Sequence, residues 1–172
     1  VVGGSLGTRT LNEMMKSWIL SLDGKQPPVQ VIWQTGKYYE KEMREFLAAH
    51  PAEGIWQGAF IERMDFAYAA ADAVISRSGA CTVSELCLVA KPTIFVPSPN
   101  VAEDHQTKNA MALVDKDAAM IVRDSEAVAR GMAAAIELTA NGERLQRLSR
   151  NIASLAIADS ADRIVAQIEK IW

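Results

Sequence analysis

Cysteine is scarce in this chain: only Cys81 and Cys87 occur in 172 residues. Six positions apart on one helix, they point about 240° apart, so they can neither pair nor share a metal. Two unpaired thiols fit a reducing, cytoplasmic compartment. An excess of one charge is also missing. Eighteen Lys and Arg stand against 21 Asp and Glu, a net −3, which leaves no electrostatic footprint for a nucleic acid. No apolar run approaches the roughly 20 residues that span a bilayer. No basic segment leads into an apolar run and a small-residue cleavage site, so no signal peptide is read. Internal repeats, low-complexity tracts and internal linkers are absent as well. So are a G-x-G-x-x-G fingerprint and the lysine of a Walker loop.

What remains is a globular balance, 49% hydrophobic and 23% charged, in a length that suits one domain over residues 1–172. Apolar β-branched runs alternate with helical patterns. Strands are expected at 1–2, 29–35, 55–60, 73–76, 93–96 and 118–122. Helices are expected over 8–21, 38–50, 64–71, 82–90, 103–114, 125–138, 144–155 and 159–171. In the first helix Leu11, Met14, Met15, Trp18, Ile19 and Leu22 recur on one face. Asp124-Ser125 and Asp159-Ser160 are placed as N-caps. Fully apolar strands separated by helices predict a parallel sheet covered on both faces, an α/β doubly wound Rossmann-like domain of about six strands. Val1-Val2-Gly3-Gly4 reads as a strand already ending, which leads us to expect a further, N-terminal portion of the protein.

Such sheets bind ligands at the carboxyl ends of their strands. The loops leaving that edge, 3–8, 60–65, 77–82 and 97–106, are the ones rich in Gly, Ser, Thr and Gln. In the first, Gly3-Gly4-Ser5-Leu6-Gly7 precedes a helix, so close backbone approach and unpaired N–H groups suit an anion. A plain strand-to-helix turn would look the same. In the third, Ser78-Gly79-Ala80-Cys81-Thr82-Val83-Ser84-Glu85 is a second glycine turn opening a second helix. Thr82 and Glu85 have capping-box spacing; alternatively, Glu85 accepts from two vicinal ribose hydroxyls, since a carboxylate accepts on both oxygens. His105 and Gln106 stand where sugar hydroxyls could be met, or where a helix simply starts. Asp115-Lys116-Asp117 has a metal-binding spacing but lies at the wrong edge, and Asp117 is read as ending its helix in a left-handed conformation. No metal and no cofactor is assigned.

One ordered set of motifs carries a resemblance: Gly3-Gly4-Ser5-x-Gly7 with Leu11-Asn12; Phe60-Ile61; Ser76-Arg77-Ser78-Gly79-Ala80-x-Thr82-Val83-Ser84-Glu85; Lys91-Pro92; Phe95-Val96-Pro97; and Asp104-His105-Gln106-x-x-Asn109-Ala110. Over nearly the whole chain it resembles the C-terminal, donor-binding domain of the MurG family. That resemblance implies one half of a GT-B fold, with the active site in the cleft between two Rossmann-like domains. It implies UDP-N-acetylglucosamine as donor and lipid I, the undecaprenyl-linked muramyl-pentapeptide, as acceptor, giving lipid II for peptidoglycan. The acceptor site, the membrane-facing patch at the cytoplasmic face, and the candidate general base would belong to the N-terminal domain.

Residue by residue, the resemblance implies that Gly4, Ser5 and the backbone from Ala80 through Cys81 to Thr82, with Val83 and Ser84 behind it, meet the diphosphate. Ile61 would hold the uracil through its main chain, Glu85 the ribose, and His105 and Gln106 the N-acetylglucosamine hydroxyls. The chain departs from the family at Thr8, where Ala is frequent, and in having Cys81 within the phosphate turn. The implied reaction is an inverting, metal-independent displacement. Alternatives are another GT-B enzyme, such as a UDP-N-acetylglucosamine 2-epimerase, or a non-catalytic nucleotide-binding module.

Overall fold

The computed structural model describes residues 1–171. Its elements run α1 (Arg9–Ser21), β1 (Val31–Gln34), α2 (Glu40–Ala49), β2 (Ile55–Gly58), α3 (Met64–Ala70), β3 (Val74–Ser76), α4 (Ala80–Leu88) and β4 (Thr93–Phe95). A short 3-10 turn, Ala102–Asp104, leads into α5 (His105–Val114), followed by β5 (Met120–Ile121), α6 (Asp124–Thr139), α7 (Gly142–Ala153) and α8 (Ser160–Ile168).

All strand pairs are parallel: β1 with β2, β3 with β4, and β4 with β5. Val2 joins the two blocks, bridging to Gln34 on one side and Ser76 on the other. The Val2 N–H donates to the Ile75 carbonyl at 2.9 Å, and the Gln34 N–H to the Val1 carbonyl at 3.0 Å. Across the sheet the order is therefore β2, β1, Val2, β3, β4, β5. Among the described residues five strands form rather than the six expected. The chain leaves the ladder at once through Gly3 and Gly4, whose φ is +83°, so Val1-Val2 contributes only these bridges. The chain builds outward through β1 and β2, then returns to the other side of Val2. Strand order thus reverses between Val2 and β3, the place where doubly wound sheets bind ligands.

Side chains alternate across the strands into two cores. Ile75, Ile94 and Val96 join Leu11, Met14, Met15 and Trp33 on the face covered by α1 and α6. Val74 and Phe95 join Tyr68, Leu86, Ala110 and Leu113 on the face covered by α3, α4 and α5. Both faces are covered, as the apolar strands require. Trp33 is fully buried and donates from Nε1 to Asn12 Oδ1 at 2.9 Å. Asn12 Nδ2 in turn donates to the Thr35 carbonyl at 3.0 Å, pinning α1 onto β1.

Several boundaries differ from the sequence reading. Helix α4 starts at Ala80 with Gly79 as its N-cap, not at Thr82. Helix α6 has Arg123 at the N-cap, with Asp124 inside the first turn. Asp159 does hold the N-cap position of α8, but without a side-chain cap bond; its carboxylate pairs with Arg163 instead, at 2.9 Å. The cap that does form by side chain is at α7, where Asn141 Oδ1 accepts from the Arg144 N–H at 3.0 Å. Asp117 is left-handed as expected, with φ 51°. Helices α6 and α7 bury apolar residues in the domain, whereas α8 buries none, and its Ile164, Val165 and Ile168 are exposed.

Candidate nucleotide-sugar site

Gly3 and Arg77 leave the sheet from neighbouring strands, so the two glycine turns start side by side at the reversal point. Neither helix that follows has a side-chain cap. At α1 the N-cap is Thr8, but its hydroxyl donates back to the Gly3 carbonyl at 2.8 Å. At α4 the N-cap is Gly79, which has no side chain to offer. No acidic residue sits in the first turn of either. The leading amides of both helices are therefore left for an external acceptor, and each helix start carries about half a positive charge from its dipole. Ser5 lies exposed at the tip of the first turn, whose shape is fixed from behind: the Lys37 N–H donates to the Ser5 carbonyl at 3.1 Å. Gly7 has φ +87°, and a Cβ there would collide with the Thr35 carbonyl.

Gln34 ends β1 and is buried, 3% exposed. Its Nε2 donates to the Gly4 carbonyl at 3.0 Å, and its Oε1 accepts from the Ile61 N–H at 3.2 Å. One amide thus locks the first glycine turn to the segment expected to hold the base. The bond bears on which main-chain group of Ile61 stays open. Its N–H is already engaged, which leaves the carbonyl as the main-chain group open to a uracil.

Along α4, Ala80, Cys81 and Ser84 are exposed, and Thr82 and Val83 half-buried. Because the helix begins at Ala80, Thr82 cannot cap it and Glu85 lies in the second turn. The capping-box reading fails, and Glu85 is not engaged by the helix start. It is exposed, and its Oε2 accepts from the Tyr68 hydroxyl at 3.1 Å.

The fourth loop is tied to the third. Gln106 Oε1 accepts from the Ser98 N–H at 3.0 Å and from the Ser78 N–H at 3.4 Å. Asn109 Nδ2 donates to the Ser78 carbonyl at 3.0 Å. This orientation leaves the Gln106 Nε2 as the group that can face a sugar. His105 opens α5, with Nδ1 donating to the Ala102 carbonyl at 2.8 Å. A carbonyl only accepts, so in the neutral ring the proton sits on Nδ1 and Nε2 is the free acceptor. Glu103 and Asp104, just before it, both adopt positive φ, 51° and 52°. Behind these loops Arg77 Nη1 donates to the carbonyls of Val96 and Pro97, at 2.8 and 3.0 Å, and to Asp124 Oδ1 at 2.6 Å. Asp124 Oδ2 also accepts from Thr10 in the first turn of α1, at 3.1 Å.

Asp117 Oδ2 accepts from Arg147 Nε at 2.7 Å, an ion pair on the other edge of the sheet. A cavity of about 930 Å³ does not include the glycine turns, although Ile61 and Tyr68 line one side of it. It runs between β1 and β3 toward the amino ends of the strands, lined by Val1, Val29, Ile55, Ala73 and Met132 among others. The sequence reading missed Gln34 and Tyr68. A polar residue closing an otherwise apolar strand was the available signal for Gln34; for Tyr68 there was none beyond an aromatic in an Ala-rich helix.

A doubly wound sheet that reverses between two bare helix starts is the plan of the nucleotide-binding half of a GT-B glycosyltransferase. More narrowly, the chain belongs to the glycosyltransferase family 28 C-terminal domain, whose family model matches residues 1–164. It is 53% identical, over 99% of its length and 46% of the relative's, to a UDP-N-acetylglucosamine–N-acetylmuramyl-(pentapeptide) pyrophosphoryl-undecaprenol N-acetylglucosamine transferase of Parabacteroides distasonis. It superposes on the crystal structure of Acinetobacter baumannii MurG with a TM-score of 0.81 at 32% identity, covering 98% of this chain and 50% of that one. A crystal structure of a UDP-N-acetylglucosamine 2-epimerase, 16% identical with a TM-score of 0.61 over 92% of this chain and 40% of that one, shares the fold alone. The chain spans about half the length of the relatives it matches.

Proposed function

We propose that this chain is the donor-binding half of an inverting transferase that moves N-acetylglucosamine from UDP-N-acetylglucosamine to undecaprenyl-pyrophosphoryl-MurNAc-pentapeptide. The observation that carries the reading is the pair of uncapped helix N-termini, α1 and α4, opening from adjacent strands at the reversal point. Gly4, Ser5 and the leading amides through Ala80, Cys81 and Thr82 would receive the diphosphate, with Val83 and Ser84 continuing the helix behind them. Ile61 would present its carbonyl to the uracil and Glu85 its carboxylate to the ribose. Gln106 Nε2 and His105 Nε2 would meet the sugar.

As the acceptor hydroxyl attacks the anomeric carbon, the bond to the diphosphate breaks and negative charge grows on UDP. Dipoles already aimed at that oxygen cluster stabilise it without rearranging during the step. Lipid I, the general base and contact with the cytoplasmic face of the membrane fall to the other half of the protein. Among the described residues no helix is long and apolar enough to cross a membrane.

Titration of UDP-N-acetylglucosamine into the full-length protein tests the reading. Glu85→Ala should weaken binding tenfold or more, and NMR of the product formed on a soluble lipid I analogue should show inversion at the anomeric centre. Unchanged affinity, or UDP located in crystals away from the two helix starts, would overturn it.

A further inference from the structure

The hydroxyl of Tyr68 is the hydrogen-bond partner that the structure records for the Glu85 carboxylate. The two residues come from different elements, α3 and α4, and their environments are opposite. Tyr68 is 7% exposed, its ring held in the core among Val74, Leu86 and Phe95. Glu85 is exposed at the mouth of the site. A glutamate in that position samples many rotamers, and ordering it on binding carries an entropic cost. A buried ring does not move, so its hydroxyl is a fixed anchor at 3.1 Å from Oε2.

We propose that Tyr68 is a positioning residue for nucleotide recognition: it pre-orients Glu85 so that Oε1 and the remaining lone pair of Oε2 face the vicinal hydroxyls of a ribose. The proposal rests on the ribose role of Glu85 given above. Chemically the division is natural. A phenol donates one proton, and an ionised carboxylate accepts at about four positions, so the Tyr68 contact still leaves acceptors for two ribose hydroxyls. Burial, and then the adjacent Glu85 charge, push the Tyr68 phenol above its ordinary range, so it remains a donor at any pH at which the protein works.

The test compares UDP with 2′-deoxy-UDP by calorimetry on the full-length protein and its variants. The wild type should prefer UDP. Tyr68→Phe keeps the ring and removes only the donor. It should weaken UDP roughly three- to tenfold, the effect of one hydrogen bond to a charged group, and 2′-deoxy-UDP much less, so the preference shrinks. KM for the donor should rise with little change in kcat. If both nucleotides weaken equally, or neither does, Tyr68 is only a tie between α3 and α4 and the proposal falls. Glu85→Ala separates the two layers. If it erases the ribose preference while Tyr68→Phe leaves it intact, only the role of Tyr68 is wrong. If Glu85→Ala leaves the preference intact, the ribose reading itself fails and takes this proposal with it.

Discussion

Ser78 and Gln106 clasp each other at two points. The Ser78 hydroxyl donates to the Gln106 main-chain carbonyl at 2.8 Å, and Gln106 Oε1 accepts from the Ser78 N–H at 3.4 Å. The pair closes the turn after β3 against the loop after β4, and Ser78 is fully buried.

Replacing Gln106 separates its two amide ends. Gln106→Leu leaves the Ser78 and Ser98 N–H groups without an acceptor, and should destabilise by about 1–3 kcal/mol per group that water cannot reach. Gln106→Glu keeps an acceptor for both and should stay within about 1 kcal/mol of wild type. It loses the Nε2 donor, so the advantage of UDP-N-acetylglucosamine over UDP should fall while UDP binding persists. Urea denaturation and calorimetry on the two variants read both effects.

The two left-handed glycines of the first turn should respond differently to a methyl group. Gly4 has φ +83° with open space around its missing Cβ, so Gly4→Ala should cost about 1 kcal/mol of backbone strain. Gly7 has φ +87° and sits against the Thr35 carbonyl and Gly36, so Gly7→Ala should cost well over about 2 kcal/mol, strain and collision together. Equal losses in urea denaturation would mean that the crossing of Gly7 over Gly36 relaxes freely.

What could be read from the sequence was what local pattern controls. Apolar strands, glycine turns and helix faces set the sheet, its carboxyl edge and the loops that gather there. Partnerships between distant positions could not be read. The T-x-x-E spacing at Thr82 and Glu85 matched a cap, yet the helix starts at Ala80 because a turn with bare amides ends in Gly79. Asp124 looked like an N-cap, yet Arg77 and Thr10, 47 and 114 residues away, draw its carboxylate into a bridge between loops. Gln34, joining Gly4 to Ile61, showed only as a polar residue closing an apolar strand, since its value lies in which two backbones it touches.

Asn12 offers a third prediction. It satisfies the indole N–H of Trp33 and the carbonyl of Thr35 at once, and it is 1% exposed. Asn12→Leu fills the space but leaves an indole donor unpaired in the core, and should cost about 2–4 kcal/mol. Because α1 carries the first helix start, UDP affinity should fall as well. A shifted Trp33 emission together with a lowered denaturation midpoint is the expected signature. An unchanged midpoint would mean that water reaches the vacated groups.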